Sequence, residues 1–305
     1  MDTILQECLE HRIRTLKTLV TNSSNEMKRV ESIYLLKEVA RKDDLFFKFI
    51  ENLLISDSNP TIRYITLKII KEHYLDRAFE PLCWAYKHET SLECILQIIS
   101  IFGEMNTHLS CEYLGHELRN IKISEFYSYV MNMMDKGESK TLDGAEMAKI
   151  LTQYHIIKNF LAQFELIRYK IEKGRIIDLD FSFVYHNGFT TSIIAQLPKI
   201  IRNLKGLRSL NLKYNKLKEF PRFIKYLTRL KYLDLSNNQI SEIPTNITEL
   251  NSLTHLDLSW NNLQYIPDEI LHLSNLKSLN VRYNRIEHAR EPLSYLKKQG
   301  IQIYL

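Results

Sequence analysis

Large aromatic side chains recur in the second half of the chain at a spacing that suits the binding of another macromolecule. Tyr214, Trp260 and Tyr283 are separated by multiples of 23 residues, and Tyr232 lies between the first two. Tyrosine and tryptophan are enriched at the energetic centres of protein interfaces. We interpret these four as candidates for partner binding. The alternative is that they only support one another as neighbours across strands.

Two carboxylates, Asp234 and Asp257, share the same 23-residue spacing. On neighbouring strands they could suit a cation or an arginine of a partner, although they could equally do no more than keep the surface soluble. Together with their polar and aromatic neighbours they form the predicted partner-binding set. That set is Lys213, Tyr214, Tyr232, Asp234, His255, Asp257, Trp260, Arg282 and Tyr283.

Motifs for catalysis are absent from the sequence. There is no GxxxxGK(S/T) phosphate loop and no GxGxxG, GxSxG, HExxH or CxxC. Cys111 lies near His108 and His116, but one thiol with two histidines at these spacings more often fills a core or a surface than binds a metal. We predict no catalytic residue, no metal and no cofactor. The enzymatic alternative is ligase-like thiol chemistry at one of the four cysteines, which are Cys8, Cys83, Cys94 and Cys111.

The aromatic and acidic residues belong to four successive 23-residue units, which begin at Leu207, Leu230, Leu253 and Leu276. Their shared pattern is LxxLxLxxNxLxx(I/F)PxxIxxLxx. The LxL core alternates like a short strand with one buried face, so we expect a parallel sheet of stacked strands. The proline cannot donate to a ladder, which predicts an extended or single-turn helical return path. The fixed asparagine should satisfy turning backbone, as a structural ladder of Asn215, Asn238, Asn261 and Asn284.

These motifs resemble the intracellular leucine-rich-repeat family, in the subclass with an IP or FP step found in Ras-pathway and scribble-type scaffolds. The resemblance covers residues 174–305 and implies a horseshoe with the parallel sheet on the concave side, where ligands usually bind. Both ends depart from the pattern. The first unit carries extra residues within 181–196, and Ala289 and Arg290 replace the usual apolar residue and proline. The closing GIQIYL predicts one last short strand.

The first half, residues 1–173, shows apolar residues at helical spacing and is predicted to be entirely helical. Apolar pairs recur at Val30 and Ile33, again at Ile62 and Ile65, and again at Ile95 and Ile98. The segment SDSNPTIRYITLKII resembles a HEAT or armadillo repeat, which implies stacked helix pairs; an irregular helical bundle is the alternative. A last helix over 156–173 is expected to cover the edge of the first repeat strand.

Composition and charge narrow the class of protein. The chain has 305 residues, 45% of them hydrophobic, which fits two globular domains, predicted as 1–173 and 174–305. With no signal peptide and no membrane-spanning apolar run, we expect a soluble cytoplasmic protein with reduced thiols. The repeats are basic over 199–231, acidic over 232–276 and basic again afterwards. This layout favours a complementary protein partner over nucleic acid or a membrane, although a solvated face without a partner is an alternative.

The sequence therefore predicts a helical domain followed by a leucine-rich-repeat solenoid, acting as a non-enzymatic scaffold or adaptor. Family resemblance alone suggests a rival, a regulatory subunit of a small GTPase, kinase or phosphatase. An enzyme with an unrecognised site in the helical half is a second alternative.

Overall fold

In a computed structural model, the residues described are 2–40, 43–135, 143–182, 185–186, 197–287 and 290–305. Ala289 and most of the insertion within 181–196 lie outside them. The described helices are α1 (Asp2–Asn22), α2 (Glu26–Val39), α3 (Asp44–Ser56), α4 (Pro60–His73), α5 (Phe79–His88), α6 (Leu92–Met105), α7 (His108–Arg119), α8 (Ser124–Asp135), α9 (Gly144–Gln163) and α10 (Arg290–Lys298). The described strands are β1 (Phe164–Glu165), β2 (Arg168–Glu172), β3 (Arg175–Asp180), β4 (Tyr185–His186), β5 (Ser209–Asn211), β6 (Tyr232–Asp234), β7 (His255–Asp257), β8 (Ser278–Asn280) and β9 (Gln302–Tyr304).

The first six helices form three pairs. The helix α1 packs on α2, α3 on α4 and α5 on α6, while α4 also packs on both α2 and α6. Ile33, Ile65 and Ile98, the second members of the recurring apolar pairs, are buried in α2, α4 and α6. Asn25, Asn59 and Ser91 cap these three helices by accepting a hydrogen bond from an N–H of the first turn.

Ion pairs repeat between successive helix pairs. In α2 and α4 the arginine that forms an ion pair, Arg29 or Arg63, is the fourth residue of the helix. The lysine that forms an ion pair, Lys37 or Lys71, is the twelfth. Each base reaches an acid belonging to the next pair, so one structural unit is repeated along this part of the chain. The ion pairs are Arg29–Asp57, Arg63–Glu89 at 2.6 Å, Lys37–Glu72 at 2.5 Å and Lys71–Glu104 at 2.6 Å.

In the described part of the second half, seven strands form one sheet in the order β2-β3-β5-β6-β7-β8-β9. From β3 onward all neighbours are parallel; Leu179 of β3 pairs with Leu210 at the centre of β5, and from β5 to β9 the central residue of each strand pairs with the central residue of the next. The four leucines at the centres of β5 to β8 are 0–2% exposed, so the predicted stacked strands are confirmed. These residues are Leu210, Leu233, Leu256 and Leu279.

The return paths are single turns of 3-10 helix, as the prolines predict. These turns span Lys199–Asn203, Arg222–Tyr226, Thr245–Glu249 and Asp268–His272, and each follows directly on a proline. At the end of the array, β9 adds the predicted last strand. Its Ile303 pairs with Leu279 of β8, and α10 packs on β9.

The predicted helix over 156–173 is wrong in its second half. The helix α9 ends at Gln163, and residues 168–172 form β2, which runs antiparallel to β3 and covers the edge that the helix was expected to cover. Lys173 and Gly174 have positive φ values of 50° and 67°, the backbone of a tight hairpin turn. The alternating burial of β2 also follows the period of a strand rather than that of a helix.

By its contacts the chain divides into two compact units, Met1–Leu118 with Glu138–Thr152, and Arg119–Gly137 with Gln153–Leu305. In the second unit, the end of α9 packs on the start of the sheet. The Phe160 and Phe181 rings are 5.2 Å apart, and the Gln153 Oε1 atom accepts a hydrogen bond of 2.9 Å from the Ile176 N–H. No helix among the described residues combines the length and the apolar character that crossing a bilayer requires.

Candidate partner-binding face

The sheet buries one face and leaves the other without a covering layer among the described residues. On the uncovered face lie the two residues that flank the buried centre of each strand, together with the turn that follows each strand. We call this surface the open sheet face. In β6 and β7 it carries Tyr232, Asp234, His255 and Asp257, which pair directly across the two strands.

On this face, four rings of the predicted partner-binding set stack in two pairs. The rings of Tyr232 and His255 stack at 4.6 Å, and those of Trp260 and Tyr283 at 4.1 Å. Tyr232 and Trp260 nevertheless remain 51% and 54% exposed, and Tyr283 is 65% exposed. The rings therefore do support one another across strands, yet each pair keeps a large apolar surface in contact with solvent. Tyr214, 43% exposed, instead lies under the ammonium group of Lys213 at 4.7 Å.

The turn after each strand has left-handed backbone, which sequence reasoning missed. Tyr214, Asn237, Trp260 and Tyr283 have φ values between 55° and 60°. Asparagine tolerates this region, whereas a bulky aromatic residue adopts it at a cost of about 1–2 kcal/mol. Backbone hydrogen bonds hold the conformation, for example from the Trp260 N–H to the Arg282 carbonyl at 2.9 Å. Aromatic residues thus occupy three positions that the backbone alone would give to asparagine or glycine.

The polar residue that ends each of the strands β5 to β8 has a local structural role. Asn211, Asp234, Asp257 and Asn280 each use Oδ1 to accept a hydrogen bond from the N–H two residues further on, at 2.8–3.3 Å. Asparagine and aspartate fulfil this role equally, since both offer the same acceptor. The turn therefore does not explain why the two central strands carry carboxylates where the two outer ones carry amides.

The two central carboxylates lie in a partly dehydrated setting. Burial raises the pKa of Asp234; Asp257 raises it further, while the hydrogen bonds from Ser236 oppose the shift. Asp257 accepts two further hydrogen bonds, from the Ser259 hydroxyl at 2.6 Å and from the Asn280 side-chain amide at 2.8 Å. A shallow depression of about 340 Å³ lies over this region, lined by the outward residues of β5 to β8 and by Tyr304.

Residues of the first and last parallel strands and of the turn after β8 complete the face. Arg282 places its guanidinium 5.1 Å from the centre of the Tyr304 ring. Sequence reasoning missed Tyr304, and it also missed Asp178 and Asp180 of β3, which continue the two outward columns. These residues belong to the diverged first and last strands, where the 23-residue pattern gives no frame. All nine residues of the predicted set are placed on or beside the open sheet face.

Beneath the turns, the asparagines join successive units. The Asn238 Nδ2 atom donates to the carbonyls of Leu212 and Leu235, both at 2.9 Å, and its Oδ1 atom accepts from the Leu217 N–H at 3.1 Å. Asn261 and Asn284 make the corresponding bonds one and two units later. Asn215 does so towards the first unit, where its Nδ2 atom donates to the Phe181 carbonyl at 3.2 Å. Each asparagine directly follows a left-handed residue and so fixes the turn that presents it.

The four cysteines differ in burial: Cys8 is exposed, Cys83 and Cys111 are half-buried, and Cys94 is buried. Burial raises the pKa of the Cys83 and Cys94 thiols to about 11. The Cys111 thiol lies 3.5 Å from the Asn106 side-chain oxygen, while His108 and His116 each lie near a glutamate of their own helix. Within the described ranges, no group of three or more His, Cys, Asp or Glu side chains is placed to hold a metal ion.

Comparisons with known proteins agree with the geometry of the repeats. Residues 197–240 match a leucine rich repeat family, and residues 222–298 match a leucine-rich repeat region. None of the curated proteins matches the chain.

Three solved structures are similar to part of this chain. A leucine-rich-repeat protein of Leptospira interrogans is 39% identical over 36% of this chain and 28% of that chain, with a TM-score of 0.33. A plant ice-binding protein is 29% identical over 40% and 38%, with a TM-score of 0.31. The functional domain of InlJ from Listeria monocytogenes is 26% identical over 39% and 23%, with a TM-score of 0.30. This chain thus spans well under half the length of each. By the family matches, residues 197–298 are similar to leucine-rich repeats, and a helical part precedes them.

Proposed function

We propose that the protein is a non-enzymatic scaffold or adaptor that binds a protein partner on the open sheet face, which the family resemblance makes the concave side of a horseshoe. The observation that carries the proposal is the pair of solvent-exposed aromatic stacks, Tyr232–His255 and Trp260–Tyr283. Exposed aromatic area on an uncovered sheet costs free energy in the unbound protein, and a partner that covers it recovers that energy.

The charge pattern supports a protein partner. Residues 199–231 carry eleven lysines or arginines and one acid, while residues 232–276 carry six acids and no lysine or arginine. A protein with a complementary stripe would be steered into register by these blocks. A nucleic acid would gain from the basic blocks but would meet repulsion from the acidic one between them.

The helical half is proposed to offer a second surface as a HEAT-like array. The repeated ion pairs support this, because Arg29 and Arg63 reach Asp57 and Glu89, which are each the C-cap of the first helix in the next pair. An irregular bundle would not be expected to reproduce these pairs at both ends of the helices. We further propose a cytoplasmic location, where the four cysteines would remain free thiols.

The binding proposal is tested by quantitative affinity capture from cells of the native source. We expect the double variant Trp260→Ala with Tyr214→Ala to fold like the wild type but to lose the captured partner, at a cost of about 2 kcal/mol or more. The matched control is Tyr226→Ala with Tyr265→Ala. It removes two rings that are 40% and 46% exposed away from the open sheet face, and it should keep the partner. Equal capture by both variants would refute the proposal.

A further inference from the structure

We propose, on the basis of the proposed function, that the centre of the open sheet face binds an extended basic segment of the partner and holds its arginine side chains. The occupant follows from what the two central strands present together, namely exposed aromatic stacks on both sides of a column of carboxylates. Each feature alone would leave the partner undefined. Their combination matches the two properties of a guanidinium group, a flat stacking surface and a fork of hydrogen-bond donors.

The geometry gives an arginine both kinds of contact. Asp234 and Asp257 are direct partners in the parallel register of β6 and β7. Neighbouring strands are about 4.8 Å apart, so one guanidinium can reach both carboxylates. The Tyr232–His255 stack lies two residues before these carboxylates in the strands, and the Trp260–Tyr283 stack lies in the turns after them. A side chain bound at the carboxylates therefore has an exposed ring on either side.

Charge selects a basic occupant over an acidic one. Among the outward residues of β5 to β8, the charged ones are the two acids Asp234 and Asp257, whereas Asp178 and Asp180 of β3 pair in register with Lys170 and Arg168 of β2. The basic residues Lys213 and Arg282 lie in the turns after β5 and β8, where they are held against the rings of Tyr214 and Tyr304. Burial and the charge of Asp257 raise the pKa of Asp234, while the hydrogen bonds from Ser236 and the charge of Lys213 oppose the shift, so the charged form of Asp234 carries a cost in the free protein. A bound cation relieves that cost.

An extended peptide is favoured over a folded surface. The depression is lined by residues of the four successive strands β5 to β8, with outward residues repeating from one strand to the next. Alternate side chains of an extended segment point the same way, so they can follow such a column.

The test uses fluorescence polarisation on the full chain at about 0.15 M salt, which screens unspecific charge attraction beyond about 8 Å. The probe is a labelled peptide of alternating arginine and glycine, compared with the same peptide carrying lysine or glutamate. We expect the arginine peptide to bind most tightly and the glutamate peptide not to bind. Lysine should bind several-fold more weakly, because it is a point charge that cannot stack or fork.

The decisive variant is Asp234→Asn with Asp257→Asn. Asn211 and Asn280 already make the same turn bond in the adjacent strands, so the variant should melt at or above the wild-type temperature. The matched control, Glu242→Gln with Glu249→Gln, removes the same net charge from the same acidic block but off the open sheet face. We expect the first variant to bind the arginine peptide at least tenfold more weakly and the control to stay within twofold.

Equal binding by the asparagine variant, or an equal loss in the control, would overturn the inference. The outcome is separable from that of the proposed function. If the wild type ignores the arginine peptide while the aromatic variant still loses its captured partner, the surface is right and the basic occupant is wrong. If the aromatic variant also keeps its partner, the surface itself is wrong.

Discussion

Replacing Asn238 by leucine should destabilise the repeats through one identifiable group. The Asn238 Oδ1 atom accepts from the Leu217 N–H, and Leu217 is only 1% exposed, so no water replaces the lost acceptor. The carbonyls of Leu212 and Leu235 each lose one donor but retain another. They keep donors from the Nδ2 atoms of Asn215 and Asn261, both at 2.9 Å. One buried N–H without a hydrogen-bond acceptor costs about 1–3 kcal/mol, and this is the expected loss in the free energy of unfolding.

A urea titration can isolate this effect. The chain has two tryptophans, so Trp84→Phe leaves Trp260 as a fluorescent reporter within the repeats. Trp84 lies in α5 and is 42% exposed, which makes its replacement mild. For a slope of about 2 kcal/mol per M, a loss of 2 kcal/mol moves the midpoint by about 1 M.

Two further variants sharpen the result. Gln239→Leu adds the same side chain at the exposed next position and should leave the midpoint nearly unchanged. Asn238→Asp keeps the acceptor for the Leu217 N–H. It also turns a carboxylate oxygen towards the three carbonyls to which the Asn238 Nδ2 atom donates in the wild type. It should therefore destabilise more at neutral pH and recover as the introduced carboxyl group is protonated. Equal midpoints for Asn238→Leu and Gln239→Leu would refute the ladder.

Three other outcomes are expected. Glu89→Gln should destabilise the helical half by about 3 kcal/mol near neutral pH, because it leaves the half-buried Arg63 without its carboxylate partner. Burial opposes ionisation of Glu89, but the hydrogen bonds it accepts outweigh this and lower its pKa. The difference between variant and wild type in circular-dichroism melts should thus shrink as pH falls through that lowered pKa, and a constant difference would contradict it. Asp234→Asn should raise the melting temperature at neutral pH, since the raised pKa of Asp234 means its charge costs stability. That gain should vanish below its ordinary pKa, and a gain that persists in acid would contradict the assignment. Iodoacetamide at neutral pH should label the exposed Cys8 and spare Cys94, whose pKa burial raises to about 11; fast labelling of Cys94 in the native protein would reopen thiol chemistry.

The repeat region could be derived from sequence because its period fixes its register. Once Leu210 and Leu233 are one unit apart, every outward residue of β5 to β8 is assigned to a column, and the structure places them so. The period also identified the proline turns, since proline excludes a continuing ladder.

The sequence was less informative where a unit departs from the period. Residues 168–172 carry Tyr169 and Ile171 among charged residues, a pattern too short to separate helix from strand. The hairpin depends on the pairing of β2 with β3 and on the Lys173-Gly174 turn, and the turn was the available signal. Likewise the left-handed backbone at Trp260 is held by a hydrogen bond to Arg282 in the turn of the next unit, and a propensity argument from local sequence does not contain that contact.

The central claim is that a partner lies against the open sheet face, and site-specific photo-crosslinking tests it most directly. A photoreactive phenylalanine analogue would replace Tyr232 or Tyr283 on that face, and Tyr226 or Tyr265 away from it, in the full chain within cells of the native source. The account predicts crosslinks to one protein from the first two positions and none to it from the other two. Crosslinking of that protein from Tyr226 and Tyr265 alone would contradict it.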